Sequence, residues 1–288
     1  MAADKTKVWL ITGCSTGFGR EIALCALAQG ERVAVTARRL ESVADICRQF
    51  PDRALALQLD ITDPNQRSAA LRDTLDRFGE LDVLVNNAGY TYVAAIEEGE
   101  EAEFRAMFET NFFATLEMTR LVLPYFRERR RGRILNNSSQ AGLMGNPGTG
   151  FYSSSKYALE GLMEALTKEV APFGIQVVSV QPGAFRTENC GRSLQRSACR
   201  VPDYEDTVGQ RLDMIAAIDG RQPGDPVRGA QIFVKLGTME NPPATLILGA
   251  GVLQTYREKL EGIQQHLQEW ESVSISADYP PDETATKR

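Results

Sequence analysis

Seven short runs of β-branched and aliphatic residues alternate with helix-length amphipathic segments over most of the 288 residues, and this alternation constrains the fold more than any single motif. The runs lie at 8–12, 33–36, 54–59, 83–86, 133–137, 176–180 and 246–248, and most are apolar nearly throughout. A strand with few polar positions has no face to offer water, so it belongs in a parallel sheet covered on both sides. Helical spacing is expected between them at 19–29, 41–50, 65–78, 101–130, 152–173 and 226–236. The repeated strand, helix, strand order predicts an α/β fold with a doubly wound, seven-stranded parallel sheet.

Two segments break the alternation. Residues 184–224 mix charge with scattered apolar side chains and lack strand periodicity, the composition of a lid over a site after the sixth strand. Residues 252–270 have the spacing of an amphipathic helix, followed by a tail rich in Ser, Pro and Asp. No repeat or linker divides the chain, so one domain is expected over 1–272, with a poorly ordered tail at 273–288.

A formal net charge of −6 argues against a general nucleic-acid binder. The basic run at 127–133 is expected to be a solvated helix end whose cations complement the helix dipole. Cys14, Cys25, Cys47, Cys190 and Cys199 are odd in number and form no Cys-x-x-Cys pair, as expected of a reducing compartment. His266 is the one histidine and lies in the C-terminal amphipathic segment, so neither a metal centre nor a histidine triad is expected. With no signal-like start and no apolar run near membrane-spanning length, a cytoplasmic protein without membrane partners is expected.

Directly after the first strand, Gly13-Cys14-Ser15-Thr16-Gly17-Phe18-Gly19 opens a helix. Unpaired N–H groups and a helix dipole at such a turn favour a pyrophosphate. The spacing Gly-x-x-x-Gly-x-Gly differs from the Gly-x-Gly-x-x-Gly of larger dinucleotide folds, and no P-loop Gly-Lys-Ser/Thr follows. At the end of the second strand an NAD-binding fold would place an acid for the ribose 2′-hydroxyl. Here Arg38 and Arg39 stand there instead, two guanidinium groups suited to a 2′-phosphate and hence to NADP(H).

Tyr152 and Lys156 are four residues apart, so a helix places the phenol and the ammonium on one face. A phenol titrating near pH ~10 needs its anion stabilised to exchange a proton near neutrality, and a fixed cation does this. Taken alone, the pair is a common spacing on solvated helices.

Together these motifs resemble the short-chain dehydrogenase/reductase family in its single-domain branch, a Rossmann-type fold, and the resemblance runs from about residue 7 to 251. The glycine turn is similar to the family's cofactor loop, Asp60-Ile61 to its adenine contact, and Asn86-Asn87-Ala88-Gly89 to the segment ending the fourth strand. Asn111 resembles the helix asparagine, Ser139, thirteen residues before Tyr152, the catalytic serine, and Pro182-Gly183 with Phe185 and Thr187 the nicotinamide-side motif. The resemblance implies that Ser139 hydrogen-bonds the substrate oxygen, Tyr152 moves the proton, and Lys156 assists the tyrosine while holding ribose hydroxyls. It also implies that Asn111 fixes a water leading to the lysine. Ser138 competes with Ser139 for its role, and Asn111 could instead bridge a helix kink.

The implied activity is NADP(H)-dependent interconversion of a carbonyl and an alcohol on a medium-sized hydrophobic small molecule, as in carbonyl reductases and hydroxysteroid or retinol dehydrogenases. Position relative to the motifs puts Tyr90, Tyr92, Gln140, Met144, Phe151 and Phe185 in the substrate pocket. A non-catalytic NADP(H) sensor on the same fold is the alternative, disfavoured by the intact Asn111, Ser139, Tyr152 and Lys156 set. The family's dimers pair the helices expected at 101–130 and 152–173, where Met107, Phe108, Phe112 and Leu116 are interface or core. A homodimer is expected, with the C-terminal helix obstructing the second interface of tetramers.

Overall fold

The computed structural model describes residues 6–187 and 193–279. The first half of the chain forms β1 (Val8–Ile11), α1 (Gly17–Ala28), β2 (Arg32–Ala37), α2 (Ala44–Gln49), β3 (Ala54–Gln58), α3 (Pro64–Phe78), β4 (Val83–Asn86), β5 (Thr91–Val93), α4 (Glu101–Phe108), α5 (Ala114–Arg129) and β6 (Gly132–Asn137). The second half adds α6 (Gly150–Val170), β7 (Ile175–Pro182), β8 (Leu194–Arg196), α7 (Gln210–Ala217), α8 (Pro226–Thr238), β9 (Thr245–Leu248) and α9 (Ala250–Ile275). Residues through Gly249 make one compact unit, and those from Ala250 a second.

Seven strands form a parallel sheet in the order β3-β2-β1-β4-β6-β7-β9. The order reverses at β1, whose neighbours are β2 and β4. A crevice opens at such a switch point beyond the strands' C-terminal ends, which is where ligands bind in sheets of this type. Strand side chains alternate between two cores. From β1, Trp9 and Ile11 join Ile22 and Leu27 of α1 and Phe233 of α8, whereas Val8 and Leu10 join Met118, Val122 and Phe126 of α5 and Leu159 and Met163 of α6. Both faces of the sheet are thus buried, which accounts for the apolar runs.

Helix ends follow local chemistry. Asp63 caps α3 by accepting from the N–H groups of Asn65 (2.8 Å) and Gln66 (3.2 Å), Pro64 starts the helix, and Gly79 closes it at φ 77°. Asp225 and Pro226 repeat this start on α8. Helix 101–130 was expected to be continuous, but a π-type turn over Glu109–Phe113 separates α4 from α5. Within it, Asn111 leaves the regular helix face and binds the backbone of Tyr90.

Other differences are equally local. A ribbon of β5 and β8, each three residues long, and the helix α7 fall where no period was visible, since so few residues carry no detectable repeat. The basic run is more than a solvated helix end. Arg129 pairs with Glu80 at 2.9 Å and donates to the Leu81 carbonyl at 2.6 Å, and buried Arg133 donates to the Leu236 carbonyl at 2.6 Å. Met107 is fully buried and belongs to the core. Helix α9 runs to Ile275, three residues beyond the boundary expected at 272. Among the described residues, Cys14, Cys25, Cys47 and Cys199 are free thiols, while Cys190 lies outside them.

A Cβ at Gly237 in α8 would overlap the fully buried Trp9 indole. Gly237→Ala is expected to cost about 1–3 kcal/mol by overpacking. Gly161→Ala, on a face of α6 with open space, is expected to stabilise by about 0.5–1 kcal/mol. Urea unfolding of both variants checks the contrast, and equal midpoints would overturn the packing argument.

Candidate active site

A cavity of about 820 Å³ occupies the switch point. Its wall at one end holds Arg38, Arg39, Asp60 and Ile61, in the middle Gly13, Ser15, Thr16, Gly17, Phe18, Asn87, Ala88 and Gly89, and at the other end Ser139, Tyr152, Lys156, Pro182, Gly183, Phe185 and Thr187. The structure therefore brings residues from six strand ends and from α6 into one cleft.

The glycine turn works through backbone conformation. Gly13 and Gly17 have φ values of 72° and 58°, which side chains with a Cβ adopt at a cost. Gly19 is not in the wall. It lies beneath the turn, where a Cβ would overlap the Gly13 carbonyl oxygen and the Asn87 amide. The first turn of α1 carries no acidic residue, and its N-cap Thr16 makes no side-chain cap bond, unlike the Asp-capped α3 and α8. The N–H groups of α1 therefore face the cleft without a carboxylate competitor, an arrangement that fits a pyrophosphate.

Side chains tie the strand ends together. Thr12 Oγ1 accepts from the N–H groups of Asn87 (2.9 Å) and Ala88 (3.0 Å), and Asn87 Nδ2 donates to the carbonyls of Thr12 (2.9 Å) and Gly13 (3.0 Å). Asn137 Nδ2 donates to Asn87 Oδ1 at 2.9 Å. At the far end Asp60 Oδ1 accepts from Thr62 Oγ1 (2.7 Å) and its N–H (3.0 Å). Arg38 and Arg39 are exposed at the rim, where their guanidinium groups fit a phosphate.

On α6, Tyr152 and Lys156 are both buried, with Nζ 5.8 Å from the phenol ring centroid. Nζ donates to the Asn137 carbonyl at 3.0 Å. Burial pushes the Lys156 ammonium down from 10.5 to about 8, and the Glu160 carboxylate opposes the shift. Ser139 ends the β6 segment with its Oγ accepting from the Ala141 N–H at 3.1 Å. Ser138 and Ser139 both line the cavity, Ser138 with its Oγ buried and without a hydrogen-bond partner and Ser139 half-buried. Cys14 is unsuited to nucleophilic work, since burial pushes its thiol up to about 12.

Asn111 is buried outside the wall. Its Oδ1 accepts from the Tyr90 N–H (3.0 Å), and Nδ2 donates to the Tyr90 carbonyl (2.9 Å) and to Ser155 Oγ (3.4 Å). It thus bridges the helix kink to the end of β4.

The expected substrate pocket needs correction. Tyr90 lines the cavity, and burial, helped by the Glu103 carboxylate and opposed by the Arg38 guanidinium, pushes its phenol above the ordinary value. Tyr92 does not line it. It is fully buried beneath, its Oη accepting from the Glu100 N–H at 2.9 Å, and its neighbours Thr91 and Val93 in β5 are buried with it. Phe151 lies outside the wall, stacked on Phe104 of α4 at 4.6 Å and packed against the Tyr92 ring at 6.0 Å. Gln140 and Met144 belong to the turn after Ser139 and also lie outside the wall. Wall residues that sequence spacing missed are Ser193 and Gln195 of the β8 segment and Glu109 and Thr110 of the π-type turn. No motif marks them, because a three-residue strand and a helix kink place them there.

A nucleotide-sized crevice at the switch point, with a Ser, Tyr and Lys set at one end, defines a dinucleotide-dependent oxidoreductase class. The short chain dehydrogenase profile matches residues 7–197, and the chain belongs to that family. A 3-ketodihydrosphingosine reductase of Bacteroides thetaiotaomicron is 37% identical over 82% of this chain and 86% of its own. The crystal structure of a short-chain dehydrogenase from Streptomyces avermitilis superposes with a TM-score of 0.89 at 42% identity, over 96% of this chain and 100% of the other. That of ElxO with NADP bound gives 0.72 at 29%, over 87% and 100%.

The folded chain releases the Lys156 proton near pH 8, while the unfolded chain holds it to about 10.5. Burying the ammonium therefore costs stability in full below pH 8, and the cost is relieved as pH rises through this window. Lys156→Met is expected to gain on the parent by up to about 3 kcal/mol more at pH 7 than at pH 10. Urea unfolding of the cofactor-free proteins measures this, and an equal difference at both pH values would show that the ammonium is not desolvated.

Proposed function

We propose that this protein is an NADP(H)-dependent oxidoreductase that interconverts a ketone or aldehyde and an alcohol on a medium-sized hydrophobic substrate. One observation carries the reading: Ser139, Tyr152 and Lys156 line one end of a cavity whose middle holds the glycine turn and whose other end holds Arg38 and Arg39. The oxidoreductase family membership and a relative named as a keto reductase support it. The NADP bound by ElxO supports the coenzyme.

The residues present fit the dinucleotide. Backbone N–H groups of Ser15 to Phe18 would hold its pyrophosphate, Asp60 and Ile61 its adenine end, Arg38 and Arg39 its 2′-phosphate, and Gly183 to Thr187 the nicotinamide side. When bound, the coenzyme supplies or accepts the hydride.

The protein's own residues handle the oxygen and its proton. Reduction builds negative charge on the substrate oxygen, and the hydroxyl of Ser139 stabilises that charge by donating a hydrogen bond. Tyr152 gives the oxygen a proton, and in oxidation the ionised phenol takes it back. The Lys156 ammonium favours the phenolate through space. Asn111 is a positioning residue that holds Tyr90 and the α4–α5 kink in place. Tyr90, Ala106 and Phe185 give the cavity apolar surface suited to a hydrophobic substrate. Residues 184–224 act as the lid, and the protein works as a homodimer through α4, α5 and α6.

Following NADPH absorbance against a panel of ketones, quinones and steroids tests the reading. Tyr152→Phe is expected to lower kcat/KM by at least about 100-fold while NADPH binding persists. Full activity in that variant would sink the proton-transfer role, and tight NADPH binding by the parent without turnover of any carbonyl would favour a sensor. Arg38→Asp is expected to weaken NADPH binding by at least about tenfold relative to NADH, about 1.4 kcal/mol. Equal affinity of the parent for both coenzymes would overturn the assignment.

A further inference from the structure

The C-terminal helix α9 carries a heptad seam on a face that the described residues leave open. Leu253, Leu260 and Leu267 recur every seven residues, and Tyr256, Ile263 and Trp270 follow each by three. Spacings of three and four in alternation place all six on one stripe that winds slowly around a straight helix, the pattern of a left-handed two-helix seam. Five of these side chains are exposed, Leu253 at 40%, Leu260 at 47%, Ile263 at 43%, Leu267 at 68% and Trp270 at 56%. Every residue from Ile263 to Ile275 is exposed.

A helix in that state draws little stability from its own chain. Gly262 costs it about 1 kcal/mol relative to alanine, and helical segments in water are held chiefly by packing of their apolar face. A stripe of this size needs a covering surface.

We propose that the occupant is α9 of a second copy of this chain, packed antiparallel, so that Leu253 meets the partner's Trp270, Tyr256 the partner's Leu267 and Leu260 the partner's Ile263. Three observations select this occupant. The period of the stripe fits a helix of the same kind, and antiparallel layers set each bulky aromatic side chain against a leucine. The charges beside the seam are split along it, with Arg257 and Lys259 toward the N-terminal half and Glu271 toward the C-terminal half. Antiparallel pairing brings Arg257 toward the partner's Glu271 at both ends, whereas parallel pairing sets Arg257 beside the partner's Val252 and Lys259 beside the partner's Gln264, with no anion opposite either cation. A membrane surface is the competing occupant for an amphipathic helix, but such helices carry Lys and Arg on their polar face. Here the positions away from the seam are Glu258, Glu261, Gln265, Gln268 and Glu269, an acidic and neutral face that anionic lipid repels.

The pairing is independent of the catalytic reading, and added to a dimer through α4, α5 and α6 it joins two dimers into a tetramer, so that α9 builds a second interface where the sequence led us to expect it to obstruct one. Light scattering of the full chain measures it. Leu260→Gln combined with Leu267→Gln is expected to halve the particle mass while leaving the urea midpoint and NADPH binding of the catalytic unit unchanged, since both positions are exposed. Arg257→Glu or Glu271→Arg alone is expected to raise the dissociation constant by at least about tenfold, and the two together to restore it. A mass unaffected by the double glutamine variant would overturn the proposal. So would loss of the parent's binding to phosphatidylserine and phosphatidylcholine vesicles in that variant with mass unchanged, which would assign the stripe to lipid. Failure of the charge swap to restore pairing would overturn the antiparallel arrangement.

Discussion

One hydrogen-bonded chain of side chains joins the nucleotide end of the cleft to its reactive end. It starts at Thr12, passes through Asn87 to the Gly13 carbonyl on one side and to Asn137 on the other, and ends where Lys156 donates to the Asn137 carbonyl. Each link is an ordinary bond worth about 0.5–1.5 kcal/mol net, but removing one partner leaves a buried polar group that costs about 1–3 kcal/mol. The chain also fixes geometry, because it spans the ends of three adjacent strands, β1, β4 and β6, whose spacing the sheet already sets. A turn that must cradle a pyrophosphate and an ammonium that must sit beside a phenol are thereby positioned by one network. The site depends on this more than on any loop.

Lys156 shows what such positioning costs. A cation with Nζ committed to one carbonyl and otherwise buried loses much of its hydration, and the drop toward about 8 expresses that loss. A core built for stability alone would place an apolar side chain there. The ammonium is held close enough to the phenol ring, at 5.8 Å, to bias its ionisation, and Glu160 one turn along offsets part of the burial. The neighbouring Ser179 hydroxyl donates to that carboxylate at 2.6 Å, which holds Glu160 in place beside the lysine.

The sheet was legible because a strand buried on both faces must be apolar along its length, and all seven runs became strands with ends shifted by no more than two residues. The nucleotide end was legible for a related reason. Glycines that need positive φ, as at Gly13 and Gly17, or that tolerate no Cβ, as at Gly19, leave a fixed spacing in the chain. The substrate end lacks any such constraint. Tyr92 and Tyr90 are two residues apart, yet one is core and the other wall, because Tyr92 lies in β5, all three of whose residues are buried, whereas Tyr90 precedes the strand. Phe151 adjoins Tyr152 yet packs on Phe104 of α4 outside the wall, a placement equally invisible without knowing which helix lies beside α6.

Those two kinds of position divide the labour of the fold. The strand ends β1, β4, β6 and β7, together with α6, carry the groups that the proposed reaction uses, and the sheet and the helix packed on it give them little freedom. Ser193 and Gln195 reach the same cavity from β8, which is held by pairing with β5 and by Glu98, a buried carboxylate that accepts from the Val201 N–H at 2.8 Å while the Ser197 hydroxyl donates to its backbone carbonyl at 2.6 Å. This part of the wall rests on a two-stranded ribbon and one acidic side chain, so its residues can change without disturbing the sheet. In the proposed reading, selection of the molecule that meets Tyr152 would therefore fall to the element least tied to the hydrogen-bonded chain, which would put chemistry and specificity on separate supports.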